Sequence, residues 1–337
     1  MNFLRSLSLP RLGGCSGARH YRFQIPGEFV PCNPSLVADG DGFVAIVRTV
    51  NYHIGDDGYY RVSPEVTSIN WLLRLDKNFR VIEADVIDDA EAHRSGLSVR
   101  HGLEDCRLFR WRDSWWFAAA AKSSFSPLRY TVALCRLEGS RVAECRFVPS
   151  PLGLPVEKNW MPRVLNDELA FVYRVSPTQI VYCTPDGSFE FHVLTELAIR
   201  FAQWSGSTQL VPYGGNWLCV VHRRVRDKRP HHYLNAFVEF DRDFQIMRSS
   251  GSWVFEAPTI EFCSGLCVTG GEAIIGYGVW DREARLLRIP MSAIEEMLNG
   301  GSSGVAERAA AMFRRLAAPV SPVFETIAVS GASPGSG

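Results

Sequence analysis

Glu104-Asp105-Cys106-Arg107-Leu108-Phe109-Arg110-Trp111, a turn at Arg112-Asp113-Ser114, then Trp115-Trp116-Phe117-Ala118 running on to Ala121: this stretch decides how the chain folds. It reads as a polar entry, a strand, a tight turn and a second, apolar strand. Four other passages say nearly the same thing. Their entries are Asn33-Pro34-Ser35-Leu36-Val37, Asn159-Trp160-Met161-Pro162-Arg163-Val164, Ser205-Gly206-Ser207-Thr208-Gln209-Leu210-Val211 and Glu261-Phe262-Cys263-Ser264-Gly265-Leu266. Second strands follow at Gly42 to Arg48, Leu169 to Arg174, Trp217 to His222 and Ala273 to Tyr277. The intervals run roughly 45 to 70 residues, the length of a propeller blade, and predict an all-β fold, a five-bladed β-propeller.

The rest of the chain fits one large domain. Its 337 residues are 46% hydrophobic and 21% charged, enough apolar material for a sizeable core. With 36 basic and 36 acidic residues the formal charge is zero, which gives no electrostatic case for nucleic acid or an anionic membrane. No apolar run approaches the ~20 residues of a membrane span. The nine cysteines are scattered, without a C-x-x-C pair or zinc spacing, and read as buried free thiols of a reducing compartment, the cytoplasm.

Residues 1–22, with Arg5, Arg11, Arg19 and Arg22 and no acid, read as a loose N-terminal arm with a faint look of a transit peptide. The propeller is expected over 23–289. A helical extension over 290–326 should pack outside it, starting at Pro290-Met291 and stopping at Asn299-Gly300, with a second helix from Val305 to Ala317. Residues 327–337 read as a flexible tail. Asp76-Lys77-Asn78-Phe79 and Asp241-Arg242-Asp243-Phe244 are near-copies, expected as outer-strand hairpins of different blades.

The inner strand of each blade lines the channel, and here those strands begin with polar groups: Asn33, Glu104, Asp105, Arg107, Lys158, Asn159, Gln209 and Glu261. The strands that follow end in Arg48, Arg174, His222 and Tyr277. Burying such charges unpaired in a sheet costs several kcal/mol each, so a wet, charged channel holding a polar ligand is the economical reading. Strand alternation puts Asp105 and Arg107 on one face and Glu104 on the other. An acid and a guanidinium side by side can protonate a leaving group and hold an anion, or form a structural ion pair at the rim. Arg48, Lys158, Arg174 and His222 add a cationic set suited to phosphate or carboxylate.

At these residues the chain resembles a known family. Gly102-Leu103-Glu104-Asp105-Cys106-Arg107 resembles the G-x-E-D-P-R segment of the β-mannoside phosphorylases and hydrolases, glycoside hydrolase family 130, which are five-bladed propellers. Glu157-Lys158-Asn159-Trp160-Met161-Pro162 with the strand to Arg174, the strand to His222, Ile275 to Arg282, Asn33-Pro34 and Arg48 resemble its other blades in order. Cys106 stands where the family has proline, and the surroundings of Lys158 differ. The resemblance implies Asp105 as general acid and Arg107, Lys158, Arg174 and His222 as phosphate ligands. With the polar channel residues, the substrate contacts are expected from Asn33, Arg48, Glu104, Asn159, Trp160, Gln209, Glu261, Tyr277 and Asp281. No cofactor or metal is implied, inorganic phosphate being a co-substrate; the partner is an oligosaccharide or glycoside, and an oligomer is compatible.

The leading expectation is inverting phosphorolysis of a β-mannoside or similar β-glycoside. A hydrolase would need a second carboxylate ~6.5–9.5 Å from the acid to hold water, for which Glu157, Glu261 and Asp281 are candidates. A glycosyltransferase on the same scaffold is the next reading; Asp39-Gly40-Asp41 formally matches a D-x-D but sits where a turn wants Asp and Gly. A non-catalytic sugar-binding propeller is the last, with Trp160, Trp204, Tyr213 and Trp280 as stacking candidates.

Overall fold

Each repeat folds into an antiparallel sheet whose strands follow one another outward from the channel. The computed structural model describes residues 9–62, 66–96, 102–122, 130–194, 201, 203–225, 229–302 and 322–329. Blade 1 comprises Val30–Asp39, Gly42–Val50, Ser68–Leu75 and Val81–Val86; blade 2 comprises Leu103–Trp111, Ser114–Lys122, Tyr130–Glu138 and Arg141–Val148. Blade 3 follows with Met161–Leu165, Glu168–Val175, Thr178–Cys183 and Phe189–Val193. In blade 4 the inner edge is split into Ser205–Gly206 and Val211–Tyr213, backed by Asn216–Val225, His232–Phe240 and Ile246–Ser249. The protein is a five-bladed β-propeller.

Blade 5 shows how the ring closes. Glu261–Thr269, Glu272–Val279 and Glu283–Pro290 are followed in the sheet not by the next segment of chain but by Arg19–Gln24, with His20 opposite Leu287. Phe324–Ala328 then adds in parallel outside it. The N-terminal arm expected over 1–22 is therefore corrected from residue 9 onward. Leu12 is fully buried, its N–H donates to Val254 O, and Arg19–Gln24 is a blade strand whose Tyr21 and Phe23 are buried. Likewise Ile327 and Val329, expected in a flexible tail, are buried against this blade. Joining the two chain ends in one sheet offsets the entropy of closing the ring by non-local pairing.

One apolar core fills each gap between neighbouring blades. The near-copies Asp76 and Asp241 turn the third strand into the fourth in blades 1 and 4. Each Oδ1 accepts two backbone N–H groups at 2.8–2.9 Å, and Phe79 and Phe244 are buried behind them. Such Asx turns are the reason for aspartate there. The helix Met291–Ser302 packs Ile294, Met297 and Leu298 against blades 4 and 5; the expected helix over 305–317 lies outside the described residues. Among the described residues no helix is long and apolar enough to cross a membrane.

Candidate active site

The simple alternation expected over Glu104 to Arg107 does not hold, and its failure makes the site. Pairing with Ser114–Lys122 slips one register between Glu104 and Arg107, leaving Asp105 at φ 52°. Blade 1 has the same slip between Cys32 and Ser35, with Asn33 at φ 46°. A β-bulge re-aims a side chain, and Asn and Asp are the residues that best tolerate left-handed backbone short of glycine. Blade 5 leaves room for this: a Cβ on Gly278 would stand 1.9 Å from Asn33 Oδ1. Two bulges thus turn Asn33 and Asp105 toward each other at one end of the channel.

Asp105 Oδ1 accepts from Asn33 Nδ2 at 2.7 Å and from Arg48 Nη1 at 3.0 Å. Arg48 is buried and fixed from behind, its Nε donating to Ser68 Oγ at 2.8 Å and its Nη2 to Tyr52 OH at 3.3 Å. Glu104 Oε1 lies 3.9 Å from the same guanidinium. Burial alone would raise the Asp105 pKa, but Arg48, Arg107 and the Asn33 amide outweigh it and hold the carboxyl below its ordinary range. Asp105 rests as an anion.

A second carboxylate completes this cluster. Tyr52 OH donates to Asp281 Oδ2 at 3.3 Å, so Arg48 and Tyr52 link Asp281 to Asp105. Burial pushes Asp281 up to about 6; Arg48 opposes that and the Asp105 charge adds to it. Two carboxyls pushed apart in pKa at one site suit acid–base work. The sign gives a test. A carboxyl raised in the folded state favours folding most at low pH, and that contribution falls as pH rises from about 4 to about 6. Urea titrations should show wild type losing stability from pH 4.5 to 7 relative to Asp281→Asn; parallel pH curves would place Asp281 in solvent-like surroundings.

Blades 3 and 4 frame a cavity of about 440 Å³ lined by Lys158, Asn159, Arg174, Gln203, Trp204 and Gly206, among others. Lys158 and Arg174 are exposed into it. Asn159, at φ 66°, is its link to Asp105: Asn159 Oδ1 accepts from Arg107 Nη2 at 3.1 Å, while Arg107 Nη1 donates to Asp105 O at 2.6 Å. Lys158 lies within electrostatic reach of Asp105 and His222. The other two expected anion ligands stand behind this wall. Arg107 is buried, with its Nε donating to Ser207 O at 2.8 Å. His222 Nδ1 is 2.8 Å from Ser207 Oγ, and burial, then Arg107 and Lys158, push the imidazole down to about 3, so it stays neutral.

Four expected substrate contacts are taken up by packing. Glu261 accepts backbone N–H groups of Phe255, Glu256 and Ala257 at 2.8, 3.1 and 3.0 Å; burial nonetheless pushes it up to about 8. Tyr277 is buried, stacked at 3.9 Å on Phe255, and donates to Glu256 Oε1. Gln209 Nε2 ties blades 1 and 5 together through Leu36 O and Leu266 O. Trp160 borders the cavity but its ring is buried edge-on against Tyr173, and its Nε1 donates to Glu157 Oε2 at 3.3 Å. Glu157 also accepts from Tyr173 OH at 3.1 Å and from Ser150 Oγ, so three donors of the fold hold its two oxygens. Tyr52 and Ser68, which orient Arg48, were not singled out from the sequence; they lie outside the repeat, though a Tyr four residues past a channel arginine was a usable hint.

No protein-family model matches the chain, and no curated protein matches it significantly. Among solved structures, the β-1,2-mannobiose phosphorylase of Listeria innocua, in complex with β-1,2-mannobiose, superposes with a TM-score of 0.58 at 14% identity over 83% of this chain and 99% of that one. This chain shares the propeller fold of the mannoside phosphorylases. A structure described with the mannoside phosphorylases of glycoside hydrolase family 130, among them hydrolases that target β-1,2-mannosidic linkages in Candida mannan, gives 0.55 at 10% identity over 78% and 85%. A mannose phosphorylase from Leishmania mexicana, in complex with a phosphate ion, gives 0.50 at 14% identity over 81% and 88%.

Proposed function

We propose that the protein is a carbohydrate-active enzyme that cleaves or forms a β-mannoside or similar β-glycoside by inverting phosphorolysis. The observation that carries this is one juxtaposition: an open cavity whose exposed charges are the cations Lys158 and Arg174 is joined through Asn159 and Arg107 to Asp105, whose carboxylate lies within electrostatic reach of Lys158. Among the described residues the one carboxylate lining that cavity, Glu157, is already engaged by three donors. Such a cavity favours an anionic nucleophile over a water held by a base. The fold shared with mannoside phosphorylases supports the substrate class.

In the degradative direction a phosphate oxygen attacks the anomeric carbon, the glycosidic C–O bond breaks, and the proton on Asp105 passes to the departing oxygen, directly or through a sugar hydroxyl. The product is a sugar 1-phosphate of inverted configuration. Asp105 rests ionised, so it must gain a proton first. Phosphate against Lys158 neutralises one of the cations that holds it low, and raises its pKa as the nucleophile arrives. The resting anion is already the form needed for the reverse reaction, in which Asp105 takes the acceptor hydroxyl proton while phosphate leaves. Asn33 and Arg48 keep the reacting oxygen in place either way.

The test is release of sugar 1-phosphate from a panel of β-mannosides and β-glucosides with and without phosphate. Phosphate-dependent product is expected. Free sugar formed equally well without phosphate would replace phosphorolysis by hydrolysis, with Asp281 as the water-holding carboxylate. Lys158→Ala and Arg174→Ala should each raise KM for phosphate about tenfold to a hundredfold, the worth of one charge-assisted hydrogen bond, with a smaller change in kcat. An unchanged phosphate KM in both variants would move the anion elsewhere.

A further inference from the structure

The hairpin Tyr52–Ile54 and Tyr60–Val62, inserted between the second and third strands of blade 1, has no counterpart in the other blades among the described residues. It rises directly from the strand that carries Arg48, and its first residue, Tyr52, is the hydroxyl that joins Arg48 to Asp281. Its tip carries Tyr59 and Tyr60, which are 51% and 57% exposed and are the most exposed aromatic side chains among the described residues. An aromatic ring held in water gains little for folding.

The two rings differ in surroundings, Tyr59 ending the turn and Tyr60 opening the strand. Tyr59 is a clamp: the Arg229 guanidinium lies 4.0 Å from its centroid while Arg229 Nη1 donates to Gly58 O at 3.3 Å. Gly58 meets Pro230 so closely that a Cβ there would stand 2.9 Å from its Cα. From blade 5, Arg282 donates to Ile54 O. Blades 4 and 5 thereby fix the hairpin over the site. Among the described residues no such clamp lies over Tyr60. It meets Tyr52 edge-on at 5.4 Å, and Asp281 and Asp105 both lie within electrostatic reach of its hydroxyl.

We propose that Tyr60 is a stacking platform for the sugar residue beyond those bonded at the Asp105 centre, so that the site favours oligosaccharides over disaccharides. The inference rests on the glycoside reading of that centre. A rigid, preordered ring with one open face presents the apolar C–H side of a pyranose with a partner at little entropic cost, and the platform lies one side chain away from the acid cluster. The clamp explains why the ring can be both exposed and ordered.

Binding of β-linked manno-oligosaccharides of two, three and four residues, by calorimetry, tests it in the Asp105→Asn protein and, without phosphate, in the wild type. Affinity should rise from two to four residues by about fivefold to tenfold, the worth of one aromatic contact. Tyr60→Ala should remove that rise while leaving disaccharide affinity alone, and Tyr60→Trp should restore it. A rise that persists in Tyr60→Ala overturns the platform, as does a flat length series in the parent protein, and in both cases the Asp105 centre stands. Failure of every length to bind would overturn the glycoside reading itself and the platform with it.

Discussion

Asp105→Asn is expected to lower kcat on an unactivated glycoside by about 10²- to 10⁴-fold, the contribution of a positioned general acid. The substitution is chosen because it changes little else. An asparagine Oδ1 can still accept from Asn33 Nδ2 and Arg48 Nη1, so the bulge, the sheet and the substrate contacts should persist and the melting temperature should hold. What disappears is the transferable proton. Leaving groups that need no protonation give the sharper reading: on a p-nitrophenyl glycoside or a glycosyl fluoride the variant should recover most of its rate. Equal loss on both kinds of substrate would mean that Asp105 serves by its charge alone. A folded variant with undiminished turnover would move catalysis away from this residue altogether.

The blades were legible because their signal is long and redundant. Polar entry, strand, turn and apolar strand recur five times, and no single misread residue disturbs the period. The same redundancy pointed Asn33, Arg48 and Asp105 to one channel, and hydrogen bonds join these three in the structure, with Asp281 linked to them through Tyr52. Where the reading failed, a non-local or single-residue effect intervened. Arg19–Gln24 finds its partner at Glu283–Pro290, at the other end of the chain, and nothing local announces such a pairing. The bulge at Asp105 adds one residue to a strand, which alternation cannot see, although an aspartate and an asparagine at matching positions are what left-handed backbone would select. Glu261 and Tyr277 hold blade positions like those of the site residues, yet the loop around Phe255–Ala257 turns both inward and saturates them. Position in a repeat places a side chain near the channel; its hydrogen-bond partners decide whether it faces a ligand.

Arg107 is where that distinction has the largest consequence for stability. Its sequence position suggests a phosphate ligand, but its guanidinium is spent on three acceptors from three blades: Asp105 O in blade 2, Asn159 Oδ1 at the entry to blade 3 and Ser207 O at the entry to blade 4. Burial draws its pKa down and outweighs the neighbouring Asp105 charge and the smaller contributions of Cys106 and Cys263, so the cation persists because its hydrogen-bond partners surround it. Arg107→Met keeps the volume and removes every donor, leaving three buried acceptors, Asp105 O, Asn159 Oδ1 and Ser207 O, without it. The cost should be about 3–5 kcal/mol, since each buried acceptor left unsatisfied costs about 1–3 kcal/mol. For a chain of this size that is a fall in melting temperature of roughly 5–15 °C, readable by scanning calorimetry. Arg107→Lys should recover little, because one ammonium cannot reach acceptors arranged around a planar fork. The opposite pattern, an unchanged melting temperature with a phosphate KM raised as far as in Lys158→Ala, would show that the guanidinium leaves the blade wall to bind the anion, and that the three inner strands hold together without it.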